Sequence, residues 1–77
     1  MKDLKIYEIA DLIAQDWSKP YFGAEPYIRA MRQMDKVSDA YGYDSGMSIV
    51  LYFLANASSW RGEVAREVKK ELKRRTK

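Results

Sequence analysis

Ile6, Ile9, Ile13 and Trp17 recur at spacings of three, four and four, while Lys5, Glu8, Asp11 and Gln15 fall on the opposite side. That period predicts an amphipathic helix over about residues 3–18, ended by Pro20, which disfavours helical geometry at Lys19 and offers no backbone donor. A second helix is predicted over about 26–41. Pro26 suits its first position, Ala30, Met31, Met34, Val37 and Tyr41 form an inner stripe, and Gly42 is the stop. "YGYDSG" at 41–46 reads as a turn leading to a cap at Asp44 or Ser45. The segment 46–57 is apolar on nearly every side from Ile49 to Ala55, and with no second strand candidate to pair with, it is expected as the central helix. "NASS" at 56–59 breaks the chain, and Ser58 or Ser59 is expected to cap a last helix over about 60–74. The pattern predicts an all-α, single-domain bundle of about four short helices.

Length sharpens this picture. A chain of 77 residues buries only about 60–65% of the surface its unfolded form exposes, so it depends on very regular packing or on a partner. The absence of cysteine removes disulfides and thiolate zinc sites as supports and favours a reducing, cytoplasmic setting. Charge interrupts "MKDLKIYEIADLIAQ" every two or three positions, unlike a signal peptide, and the longest apolar run, "IVLYFLA", falls far short of the ~20 residues of a membrane span. A soluble protein without a membrane partner is expected.

The same composition limits the chemistry. With neither histidine nor cysteine, serine–histidine and cysteine–histidine triads and the usual transition-metal sites cannot be built. Asp35 and Asp39, and Glu63, Glu67 and Glu71, lie one helical turn apart, but Lys36, Arg66 and Lys70 beside them mark solvated, mixed-charge faces. "DAYGYDSG" lacks the alternate spacing of a calcium loop, and the four glycines are too dispersed for a phosphate loop. Neither an enzyme nor a cofactor is expected.

Two features could carry binding. The formal charge of +3 is uneven: residues 66–77 hold seven basic and two acidic side chains, +5, leaving −2 for the preceding 65. At about 100° per residue, Arg66, Lys69, Lys70, Lys73 and Lys77 share one face of the last helix, opposite Val64, Ala65, Val68 and Leu72. Such a stripe suits nucleic-acid phosphates or an acidic protein surface, although cations near a helix C-terminus also offset the macrodipole and keep a small protein soluble. Residues 61–77 contain no aromatic, so a base-stacking platform is missing there. The second feature is "KPYFGAEPY" at 19–27. Trp17 and Phe22 are expected to pin this loop to the core, with Gly23 in a backbone conformation closed to other residues. Tyr21 and Tyr27, joined by Trp60 and Arg61, are expected to form one exposed protein-binding patch, because tyrosine, tryptophan and arginine dominate interface hot spots. A homodimer hiding the patch is the third reading.

The set Pro20-Tyr21-Phe22-Gly23-Ala24, Pro26-Tyr27, Tyr41-Gly42, Asp44-Ser45-Gly46, Tyr52-Phe53-Leu54, Asn56-Ala57 and Trp60-Arg61-Gly62, spread over about residues 17–75, resembles a family of small proteins encoded by phages and prophages of Gram-positive bacteria. The resemblance brings no established activity. It implies a setting, a small accessory protein made inside a bacterial cell, in which blocking or redirecting a host or defence protein is a common role, as is binding DNA.

Overall fold

The computed structural model describes residues 1–41 and 44–77. Helix α1 spans Ile6–Asp16, α2 Glu25–Met31, α3 Gly46–Ala55 and α4 Glu63–Arg75. Between α2 and α3 the short strands β1, Ala40–Tyr41, and β2, Asp44–Ser45, pair antiparallel, Ala40 opposite Ser45 and Tyr41 opposite Asp44. The described residues thus form an all-α domain with one small hairpin; its radius of gyration, 11.0 Å, matches the roughly 11.5 Å expected of a folded chain this long. No described helix is long and apolar enough to cross a membrane.

Helix α4 packs on α1, α1 on α2, and α2 on α3, around one core. The predicted stripes supply that core. Ile6, Ile9 and Ile13 of α1 are fully buried, as are Met31, Val50, Phe53, Val68 and Leu72.

Helix α1 begins later than the spacing predicts, at Ile6, because its first free donors are satisfied from outside the helix. The N–H groups of Ile6 and Tyr7 donate to the carbonyls of Asp35 and Met34 at 2.9 and 2.8 Å, and Glu8 accepts from the Lys5 N–H. The same pairing limits α2, which ends at Met31 instead of continuing to 41. Past Met31 the chain turns so that its carbonyls cap α1, and the Asp39 carboxylate accepts the N–H groups of Asp35 and Lys36 at 2.9 and 3.0 Å. Those backbone donors, Lys36 foremost, hold the Asp39 carboxyl below its usual range. Met34 and Val37 still face the core, at helical spacing but outside a helix. The expected stop at Gly42 lies outside the described residues.

Helix α3 starts at the predicted cap: the Ser45 hydroxyl accepts the Ser48 N–H at 3.1 Å. It is not central, however. Gly46, Ile49, Val50 and Phe53 face the core, while Met47, Leu51, Tyr52 and Ala55 face solvent. The break after α3 is longer than predicted, and α4 is capped not by Ser58 or Ser59 but by Gly62, whose φ of 112° lies in the left-handed region. Residues 56–62 form an irregular connection that drops Ala57 and Trp60 into the core before helical geometry resumes. Val64, in the first turn of α4, is exposed rather than part of the apolar seam.

Candidate functional site

The loop 18–24 folds back toward the C-terminal end of α3. Gly23 has no positive φ, contrary to expectation; it is a glycine for space, since a Cβ there would lie 2.6 Å from the Tyr21 ring and 2.9 Å from the Asn56 side-chain oxygen. Asn56 in turn donates from its side-chain nitrogen to the Tyr52 carbonyl at 2.8 Å, one turn back along α3. The Tyr27 ring lies 5.5 Å from that of Tyr52, and the Tyr21 and Phe22 rings are 4.8 Å apart. These contacts bring the loop aromatics to the C-terminal end of α3, whose solvent side carries Met47, Leu51 and Ala55 beside Tyr52.

Phe22, expected to anchor the loop, is 76% exposed; Tyr21 and Tyr52 are 46% and 49% exposed. At about 200 Å² per aromatic side chain, these three leave roughly 350 Å² open, which alone reaches the ~300–600 Å² of the largest apolar patch on a typical monomer. None of the seven side chains that make the face carries a charge.

The predicted quartet divides. Tyr21 lies on this face, and Tyr27 is half-buried at its inner edge, packed against the core. Trp60 does not belong to it, being 2% exposed. The Trp60 ring stacks on Trp17 at 5.7 Å, meets Phe53 edge-on at 6.2 Å, and donates its indole N–H to Asp16 Oδ2 at 2.8 Å. A large ring with its one polar group satisfied gains more from burial than from display. Arg61 is exposed, but its charge acts on Lys69, which associates it with α4 rather than with the tyrosines.

The basic stripe is also redrawn. Arg66, Lys70, Lys73 and Lys77 are exposed as expected. Lys69 lies only ~60° around the helix from buried Leu72 and turns inward: its Nζ donates to the Trp60 carbonyl at 2.7 Å and lies 5.9 Å from the Trp60 ring centroid. Burial, then the charges of Lys73 and Arg61, pull its pKa below the usual lysine value. Glu71 is clamped by Arg74 and Arg75, and the hydrogen bond from Arg74 is the leading cause that lowers its pKa to about 2. Arg75 also donates to the Met1 and Lys2 carbonyls at 2.9 and 3.0 Å, bringing Lys2 beside α4.

Two of the acids at helical spacing are used in structure, Asp39 in a turn and Glu71 in a clamp. Among the described residues no group of acids is placed to hold a metal ion. Sequence reasoning missed Phe22, Met47, Leu51 and Tyr52. The available signal was the all-round apolarity of 49–55 in a chain too short to surround a helix. Compared with family models, curated proteins and solved structures, the chain matches none.

Proposed function

We propose that the protein is a non-enzymatic binding module that engages another protein through the face built by Tyr21, Phe22, Leu51 and Tyr52. The carrying observation is α3 itself: a helix apolar on both sides, with only one side covered. Exposed rings that carry tyrosine hydroxyls suit a partner that presents an apolar surface with hydrogen-bond acceptors among it. The setting implied by the resemblance gives that partner an identity: a host or defence protein of the bacterial cytoplasm, met by a small accessory protein of a phage or prophage.

Because the face is uncharged, its binding should tolerate salt. Affinity capture of the tagged protein from a Gram-positive bacterial lysate, treated with nuclease and washed at about 0.5 M salt, tests this. The expected result is one protein retained in stoichiometric amount, lost from Leu51→Lys and Phe22→Ala and kept by the paired Lys70→Glu/Lys73→Glu variant, with all variants equally helical by circular dichroism. Retention that is indifferent to Leu51 and Phe22, or a concentration-dependent dimer that these two variants dissolve with nothing else captured, would replace a foreign partner by another surface or by a second copy.

A further inference from the structure

The strongest charged feature of the molecule lies on another helix from the apolar face. A shallow groove of about 600 Å³ runs along α4, lined by Lys2, Lys70, Lys73, Arg74 and Lys77, with Glu67 and Glu71 on its wall. The two acids do not cancel the cations. Glu71 is already matched by Arg74 and Arg75, which leaves Glu67 against Lys2, Lys70, Lys73 and Lys77, none of which forms an ion pair among the described residues. Lys2 is a member that no helical periodicity could reveal, because it is brought across the chain by the hydrogen bonds from Arg75 to the Met1 and Lys2 carbonyls. Lys69 is excluded by its bond to Trp60.

Lysine reaches phosphate as a mobile point charge, without the planar fork by which arginine fixes the orientation of a carboxylate or phosphate, which suits contact with a backbone in any register. Lys70 and Lys73 are about 4.5 Å apart in helical rise, and Lys77, just past the end of α4, lines the same groove, so that long, flexible side chains can meet successive phosphates of one strand. Residues 61–77 hold no ring that could stack on a base, so contact stays on the backbone.

We infer that Lys2, Lys70, Lys73 and Lys77 form a sequence-independent site for the phosphodiester backbone of a nucleic-acid duplex. The site is independent of the apolar face: either can fail alone. Fluorescence anisotropy of a labelled 20-base-pair duplex of arbitrary sequence, as DNA and as RNA, measures it at a series of salt concentrations from about 50 mM upward. Four contacts predict a log–log salt slope of roughly −3 to −4, and Lys70→Glu/Lys73→Glu should flatten it by about 2. Lys2→Glu should flatten it by about 1 and weaken binding about fivefold or more at the lowest salt, whereas Arg29→Glu on α2, which changes the net charge equally, should stay within about twofold. Binding of both duplexes identifies the shared backbone, and binding of one alone assigns the site to that nucleic acid. The inference is overturned by no anisotropy change with either duplex at the lowest salt, by capture on anionic phosphatidylserine vesicles alone, or by a Lys2→Glu effect no larger than that of Arg29→Glu.

Discussion

Two aromatic residues have exchanged the roles their neighbourhoods suggest. Trp60 sits in "SSWRGE", a polar stretch of the kind that displays a ring, yet it is buried against Trp17 and Phe53 with the Lys69 ammonium over its ring. Phe22 sits in Pro20-Tyr21-Phe22-Gly23, a stiffened stretch of the kind that anchors a loop, yet it projects outward. The energetic consequence is sharp. Trp60→Ala removes a large buried ring and orphans the packing around it, at a cost of about 3–5 kcal/mol. A chain of 77 residues holds only roughly 4–12 kcal/mol in total, so this variant should lose at least about a quarter of its stability and its urea midpoint should fall accordingly. Phe22→Ala should leave the urea midpoint within the equivalent of about 0.5 kcal/mol. Trp60→Phe, which keeps most of the ring but loses the N–H to Asp16, should fall between them at about 1–2 kcal/mol. A series of three urea titrations checks the order; a large loss in Phe22→Ala would return that ring to the core.

At the scale of elements, the junction of the hairpin with α3 is where backbone approach matters most. A Cβ at Gly46 would lie 2.7 Å from the carbonyl oxygens of Val37 and Asp39 and 2.6 Å from the Met34 terminal methyl, while the Gly46 N–H donates to the Asp39 carbonyl. The methyl can swing away, but the two backbone oxygens cannot move without loosening the turn that caps α1. Gly46→Ala should therefore cost about 2–3 kcal/mol, against about 1 kcal/mol for Ser45→Ala, which removes only the cap one residue earlier. Thermal unfolding of the two variants separates these, and equal losses would mean the loop yields. The same junction marks the limit of what sequence can show. Periodicity reads α1 and α4 because each keeps its spacing inside a helix; α3 is read from its all-round apolarity and the lack of a strand to pair with, and Ser45 because a cap is a local signal. It extends α2 too far because Met34 and Val37 keep helical spacing after the helix has stopped. What stops it is the Asp39 carboxylate and the demand of α1 for two carbonyls, contacts set by tertiary structure. The exposed apolar face is half legible for a similar reason. Tyr21 and Tyr27 announce themselves by loop chemistry, whereas Leu51 and Tyr52 become conspicuous only once the other helices are seen to cover one side of α3.

For the molecule as a whole, the two chain ends are held together by a cluster whose strength depends on one carboxylate. Glu71 accepts from Arg74 and Arg75, and Arg75, itself half-buried, donates onward to the carbonyls of Met1 and Lys2. With its pKa lowered from 4.5 to about 2 in the folded state, Glu71 contributes its full stabilisation above the unfolded value. That contribution declines as pH falls through the window from about 4.5 to about 2, because below the lower value both states bind the proton equally. Acid loosens such a basic protein for a second reason: protonation of its other carboxylates uncovers an unbalanced positive charge. The two effects separate in a comparison with Glu71→Gln, which shares the general charging but has no ionisable group at the clamp. At pH 7 the variant should melt below the native chain, and the two melting curves should converge as pH approaches 2. A gap in melting temperature that stays constant down to pH 2 would show that the ionised Glu71 contributes nothing and that the ends are held by packing and by Arg75 alone. Convergence would instead show that the clamp beside the chain ends draws its stabilisation from the charge state of a single side chain.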